Sequence, residues 1–232
     1  MNDAEHAADK RIKIIVGVVL LLWLVLTLIF GLNEAYVRQP GALPLPILVG
    51  VLTPVIVFLV AFWTAGPFRD FVMSMDLPAV AVIQAWRFGG LGFIALYVYG
   101  VLPGLFAWPA GLGDMAIGIT APLVVLALRR RPAFAAGRLY AAWNLLGILD
   151  LLVAVSLGGL SSVLGIGISD AITTFPMAQM PLVLVPAFLV PLFVMLHISS
   201  LLQARQLKAA GKVCGWTEPA LRCESLGSMH KA

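Results

Sequence analysis

The chain has 232 residues, of which 61% are hydrophobic and only 11% are charged, and its formal net charge is +4. Soluble domains carry about 25% charged residues, so too few charged side chains remain here to cover a water-facing surface. The composition therefore excludes a soluble globular protein and predicts an all-α, polytopic membrane protein. We expect no nucleic-acid partner, because the basic residues cluster at the ends of apolar segments, where they act as topology signals beside lipid headgroups.

A helix needs about 20 apolar residues to cross the hydrocarbon core of a bilayer. Six segments meet this requirement and predict spans at 13–32, 44–65, 78–100, 104–128, 139–157 and 180–203. The predicted organisation is an N-terminal segment at 1–12, a six-helix bundle at 13–203 and a tail at 204–232. The first span follows a basic segment, as in a signal peptide, but it is longer than a signal-peptide core and no small-x-small cleavage site follows it. We expect this span to be retained.

The distribution of Lys and Arg predicts the orientation of the bundle. With the N-terminus in the cytoplasm, all basic residues except Arg38 and Arg87 lie inside, which is 13 of the 15 in the chain. The positive-inside rule therefore predicts that both termini are cytoplasmic. We expect a multi-pass protein of the cell membrane, of the bacterial inner-membrane type, with the lipid bilayer as its constant partner.

Three further segments carry expectations. The short link at Pro103 and Gly104 predicts that the third and fourth spans are antiparallel neighbours. The long, apolar stretch 158–179 is consistent with an interfacial helix, a re-entrant segment or a loop on the lipid surface. In the tail we expect a helical extension to about Lys208, then a poorly ordered segment in which Cys214 and Cys223 are reduced thiols.

Three ionisable residues lie inside apolar spans, and they are the strongest indication of a functional site. A charge at the centre of a bilayer costs roughly 2.5–3.5 kcal/mol even on lenient insertion scales, so such residues are expected to face the bundle interior and pair. At a rise of about 1.5 Å per residue, Arg87 and Asp150 lie at nearly the same depth, and Asp114 lies farther from the cytoplasmic side. The sequence predicts pairing of Arg87 with Asp150 or Asp114.

A second polar layer is predicted on the cytoplasmic side of these charges. Gln84 lies one helical turn from Arg87, and Asn144 and His197 fall at a depth similar to that of Gln84. His197 has no second histidine within the spans, so we predict no metal site. The motifs of nucleotide-binding proteins and metallohydrolases are absent from the sequence, so we predict no cofactor.

Glycines cluster on the third and fourth spans, where their small size lets helix backbones approach closely. The cluster comprises Gly89, Gly90, Gly92, Gly111, Gly113 and Gly118. They also leave space beside Arg87 and Asp114, which would suit a ligand.

The sequence leaves three functions open, and the first is preferred. In the first, a non-enzymatic transporter moves a small solute or a proton, while Arg87 holds an anion or a carboxylate and an Asp exchanges protons. In the second, the same residues lock helices together in a structural or accessory subunit with a membrane-protein partner. In the third, Asp114 or Asp150 is the acid or base of a membrane-embedded enzyme acting on a lipid-like substrate. A cavity from one face would favour transport, a closed bundle the accessory role and a lateral opening the enzyme.

Overall fold

The computed structural model describes residues 3–38, 42–164 and 172–215, with side chains described from Lys10 to Ala210 within those ranges. The described residues form helices and no strands, which confirms the all-α part of the predicted fold class. Six of its helices are long and apolar enough to cross a membrane. These candidate spans are Lys10–Leu32, Leu45–Thr64, Leu77–Val98, Gly104–Arg130, Arg138–Leu164 and Val185–Ala210. The architecture fits a multi-pass membrane protein.

The described residues contain eight α-helices and four shorter helical segments, which form these spans and the connections between them. The α-helices are α1 Asp3–Leu32, α2 Leu45–Thr64, α3 Gly66–Met73, α4 Leu77–Gln84, α5 Leu91–Val98, α6 Gly104–Arg130, α7 Arg138–Leu164 and α8 Val190–Gly215. A 3-10 segment at Ala85–Gly90 joins α4 to α5, and a π-helical turn at Val185–Leu189 leads into α8. Further 3-10 turns occupy Pro132–Ala136 and Phe175–Ala178.

Several helix ends differ from the predicted boundaries. Helix α1 begins at Asp3, within the predicted N-terminal segment, and the sixth span begins at Val185 rather than at 180. Helix α7 continues to Leu164 rather than ending at 157, so the first part of the predicted 158–179 connection is helical. Within the predicted loop at 66–77 lies the short helix α3. Helix α8 continues to Gly215, past the expected end at Lys208. Residues 165–171 and the tail at 216–232, which contains Cys223, lie outside the described residues.

Prolines and one glycine define several helix ends locally. Pro residues occupy the first turn of α2, α3 and α4, where a missing N–H costs nothing. The Asp76 carboxylate caps α4 by accepting from the Ala79 N–H at 3.1 Å. Between α5 and α6 the chain turns back through Gly100, whose φ of +71° is favoured by glycine. The third and fourth spans are therefore antiparallel neighbours, as the short link predicts.

Helix α6 is central and packs against α4, the 3-10 segment, α5 and α7, while α8 packs against α7, α2 and α4. Glycines bring α6 close to the 3-10 segment: a Cβ at Gly118 would overlap the backbone of Arg87 and Phe88, and one at Gly111 would lie 2.9 Å from the Gly90 carbonyl oxygen. These glycines thus have the predicted close-packing role. Gly89 and Gly92, by contrast, face open space.

The connectivity gives the bundle two distinct ends. The basic end carries the start of α1, the α6–α7 connection with its cluster of arginines, and the last turns of α8. The opposite end carries the α5–α6 turn and residues 33–38, 42–44 and 172–184. Helix α1 is peripheral: it packs on α3 and the π-helical turn, and most of its apolar side chains are exposed.

Candidate functional site

Arg87 lies at the centre of the bundle and is only 2% exposed. It belongs to the 3-10 segment Ala85–Gly90, which interrupts the third span. A 3-10 stretch in the middle of a helix often marks a hinge or a strained position. Here it places a long, charged side chain between α6, α7 and α8, where it cannot reach water directly.

The guanidinium of Arg87 uses four of its five N–H donors on groups from three helices. Its Nε donates to Asp114 Oδ1 at 2.7 Å, and its Nη2 donates to Asp150 Oδ2. Its Nη1 donates to the Gly147 carbonyl oxygen at 3.2 Å and to His197 Nε2 at 3.1 Å. Both carboxylates therefore share one cation, although the sequence left open which of them pairs with it.

This geometry determines the tautomer of His197. A guanidinium has donors only, so His197 Nε2 must accept the hydrogen bond, and the ring proton must be on Nδ1. Nδ1 lies 2.9 Å from Asn144 Oδ1, to which it donates, and Asn144 Nδ2 donates to the Tyr140 carbonyl oxygen at 2.9 Å. His197 is thus neutral in this arrangement, and the charges of the cluster are those of Arg87, Asp114 and Asp150.

Three glycines provide the space for these side chains. A Cβ on Gly113 would overlap the Asp150 carboxyl group, and a Cβ on Gly147 would overlap the His197 ring. One on Gly90 would lie 2.5 Å from Asp114 Cβ. The absence of a side chain at these three glycines therefore creates the space that the polar side chains of the site occupy.

The structure brings five of the six predicted residues into one network. His197 contacts both Arg87 and Asn144, so the two predicted layers are continuous. The sixth residue, Gln84, is fully buried beside the network and donates through Nε2 to the Phe193 carbonyl oxygen at 3.4 Å. The Phe193 ring in turn lies 6.0 Å from Arg87 Cζ, within reach of a cation–π interaction.

Sequence reasoning missed Gly147 and Phe193. Gly147 supplies both an acceptor for Arg87 and the space for His197. Its position on α7 between Asn144 and Asp150, at helical spacings of three, was a usable indication. The sequence offers no such indication for Phe193, because an aromatic residue in an apolar helix has no feature that distinguishes it from its neighbours.

A cavity of about 100 Å³ extends from the opposite end of the bundle to Asp114. That volume is room for several water molecules. Its outer part is lined by the loop residues Tyr36 and Arg38, its walls include Phe93 and Phe106, and Asp114 lies at its inner end. Asp114 is about 15 Å along α6 from Gly104, at a rise of about 1.5 Å per residue. The side chains of Asp114 and Asp150 are 15% and 12% exposed, whereas that of Arg87 is 0% exposed.

On the other side of Arg87, buried polar side chains continue toward the basic end. They are Asn144, Ser199, Ser200 and Gln203. Gln203 donates through Nε2 to the carbonyl oxygens of Val72 and Met75, at 2.8 and 3.1 Å. The central charges thus lie between a cavity on one side and a polar interior on the other.

In the part of the chain that the structure describes, no group of three or more His, Cys, Asp or Glu residues is placed to hold a metal ion. The arrangement can pair charges, exchange a proton at a carboxyl group and hold a polar or charged group in the cavity.

A family model described as a domain of unknown function, DUF8737, matches residues 43–205. The match covers most of the chain, from the start of α2 to Arg205 in α8, and it includes every residue of the Arg87 network. The chain therefore belongs to this family. No curated protein and no solved structure matches the chain.

Proposed function

We propose that this DUF8737 protein is a multi-pass transporter of the cell membrane, which moves a small solute or a proton through the site formed by Arg87, Asp114 and Asp150. The observation that carries this proposal is the cavity that ends at Asp114. A bundle that used the same charges only to hold its helices together would have no need of a route to them.

The orientation of the bundle follows from its basic end. Arg129, Arg130, Arg131 and Arg138 all lie at the α6–α7 connection, and basic loops stay in the cytoplasm. Both termini are then cytoplasmic, and the opposite end faces outward. In this orientation the cavity is an outward-facing approach to the site.

The charge balance of the network supports proton exchange. One guanidinium and two ionised carboxylates leave one negative charge in excess, and a charge inside a membrane is costly. One carboxyl group is therefore protonated, or balanced by a bound cation, whenever the site is closed to water. Asp114 faces the cavity and is the carboxyl group that takes up and releases the proton or the cation, while Asp150 keeps Arg87 paired.

The other side of the network provides a route inward. His197 and Asn144 connect Arg87 to the buried polar residues near the basic end. The 3-10 segment that carries Arg87 is the element best placed to change conformation, because such segments mark hinges within helices. Movement there would shift Arg87 relative to Asp114 and alternate the access of the site.

Proton flux into proteoliposomes tests this proposal. Purified protein is reconstituted with a pH-sensitive dye inside the vesicles, and a potassium gradient with valinomycin sets the membrane potential. We expect wild-type protein to acidify the interior faster than empty liposomes, and Asp114→Asn to return the rate to that of empty liposomes. Asp70→Asn is the matched control, because the Asp70 side chain is 79% exposed and lies outside the spans. A wild-type rate equal to that of empty liposomes would reduce the network to a clamp between helices, as in an accessory subunit.

A further inference from the structure

Four aromatic residues line the cavity that ends at Asp114, namely Tyr36, Phe93, Phe106 and Phe175. We infer that this cavity binds an organic monocation, an ammonium group on a small hydrocarbon body, with its positive charge beside Asp114 and its hydrocarbon part against the apolar walls. The inference rests on the proposed function and names the class of solute that the site accepts.

The charge of the site favours a cation over an anion or a neutral solute. His197 is neutral, so the two carboxylates outnumber the one guanidinium, and the excess negative charge lies where the cavity ends. The guanidinium itself is fully buried, and Arg87 is not among the residues that line the cavity. An entering anion would therefore meet a carboxylate before it met Arg87.

The walls of the cavity favour an organic cation over an inorganic one. Phe93 and Phe106 form an edge-to-face pair with ring centroids 5.4 Å apart, and both line the cavity. Aromatic rings attract ammonium groups through their quadrupoles, and quaternary ammonium ligands are recognised by aromatic cages. An inorganic cation instead needs several oxygen ligands, whereas the aliphatic residues Leu151, Val155 and Val190 make up much of the remaining wall.

The size of the cavity limits the hydrocarbon body. At about 100 Å³ it is smaller than the roughly 150 Å³ engineered cavity that binds benzene. A branched head or a short chain fits, with the remainder of the ligand directed toward the outer end.

The other charged or titratable groups of the lining do not oppose this assignment. Arg38 is exposed at the outer end, where solvent screens its charge. Burial raises the pKa of the Tyr36 phenol, so this group is uncharged at neutral pH. Asp114 is then the group that determines which charge the inner end of the cavity accepts.

A cation and a proton would compete for the same excess charge. Binding of the cation releases the proton from the carboxyl pair, and protonation releases the cation. The organic monocation and the proton would therefore occupy the site alternately, each lowering the apparent affinity of the site for the other.

Binding in nanodiscs tests this inference without relying on transport. The probe is radiolabelled butyltrimethylammonium, whose charge is permanent. The competitors are 3,3-dimethylbutan-1-ol, which has a similar branched head without charge, and 3,3-dimethylbutanoate, which is an anion. We expect saturable binding to wild-type protein, weakened by about tenfold or more in Asp114→Asn and unchanged in Asp70→Asn. Neither competitor should displace the probe when the competitor is added at a concentration near the dissociation constant of the probe.

Two outcomes would overturn the inference. Equal competition by the alcohol would make the cavity merely apolar, and displacement by the carboxylate would make it an anion site centred on Arg87. If the probe binds as expected but proton flux matches that of empty liposomes, the proposed transport fails while the binding site remains. If protons flow but the probe does not bind, the solute class is wrong and the transport proposal stands.

A second variant keeps the test decisive if Asp114→Asn fails to fold. Phe93→Leu retains an apolar wall and the Asp114 charge but removes one ring from the cavity. We expect it to weaken binding of the ammonium probe severalfold while leaving unchanged the weaker binding of labelled 3,3-dimethylbutan-1-ol, measured at higher concentrations. Equal effects on both ligands would show that the ring acts only through its volume.

Discussion

The imidazole ring of His197 lies in the space that Gly147 leaves open on α7, since a Cβ at that position would overlap the ring. The carbonyl oxygen of the same glycine accepts a hydrogen bond from Arg87 Nη1, which also donates to His197 Nε2. One residue without a side chain thus positions two members of the network. This relationship makes Gly147 a direct test of whether the network is structurally required.

Gly147→Ala should displace the His197 ring and lower the free energy of unfolding by about 1–3 kcal/mol, the usual cost of overpacking a tight interior. The measurement is unfolding in detergent micelles, with wild type as the reference. Gly92→Ala is the matched control, because a Cβ there meets nothing within 4 Å. An unchanged stability of Gly147→Ala would mean that His197 has room to move and that its bond to Arg87 is dispensable.

Arg87→Ala should destabilise the bundle by about 3–5 kcal/mol, because it leaves buried carboxylates without their cation. Arg87 holds both Asp114 and Asp150, so adding either Asp→Ala substitution should recover only part of the loss. Adding both should recover more than either one. A double-mutant cycle on unfolding free energies measures the coupling.

Two outcomes with these variants would contradict the proposed site. Additive losses in both double mutants would mean that Arg87 pairs with neither carboxylate, and the central site should then be abandoned. Full proton flux from a stable Arg87→Ala and Asp150→Ala double mutant would reduce that pair to a structural clamp.

Much of the fold follows from the sequence because the physics of a bilayer is restrictive. A spanning segment must satisfy its backbone hydrogen bonds internally. A long apolar run such as that of α1 is therefore expected to form a helix. The same restriction makes Arg87, Asp114 and Asp150 conspicuous, since charges inside a membrane must find partners. These residues could be grouped from the chain alone by their depth along each helix.

Other features depend on packing that no local pattern encodes. The 3-10 segment around Arg87 forms where α6 approaches so closely that Gly118 lies against the Arg87 backbone. The continuous network through His197 depends on the rotation of α8, which depth along the helix does not specify. The cavity lies between helices and a loop that are distant in sequence, so its aromatic lining could not be predicted from the sequence.

Deleting residues 213–232 should leave the protein inserted and stable. Among the α8 side chains that the structure describes, Ala204 is the last buried one, and those from Arg205 to Ala210 are exposed. This part of the helix therefore projects from the bundle. Truncation costs little where the affected backbone and side chains make few buried contacts. The measurement is monodispersity and thermal unfolding of the truncated protein in detergent. Loss of the folded protein would show that the tail packs on the bundle.

Reporter fusions should place the basic end of the bundle in the cytoplasm, because loops rich in Lys and Arg resist translocation. A fusion at residue 212 should be fluorescent with a cytoplasmic fluorescent protein and inactive with a periplasmic phosphatase. A fusion at residue 101, in the turn between α5 and α6, should show the reverse pattern. Replacing Arg129, Arg130 and Arg131 with Gln is the variant that tests the cause, since it removes the densest group of charges and should increase the fraction of inverted molecules. Phosphatase activity at residue 212 in the unmodified sequence would overturn the orientation, and the cavity that ends at Asp114 would then open toward the cytoplasm.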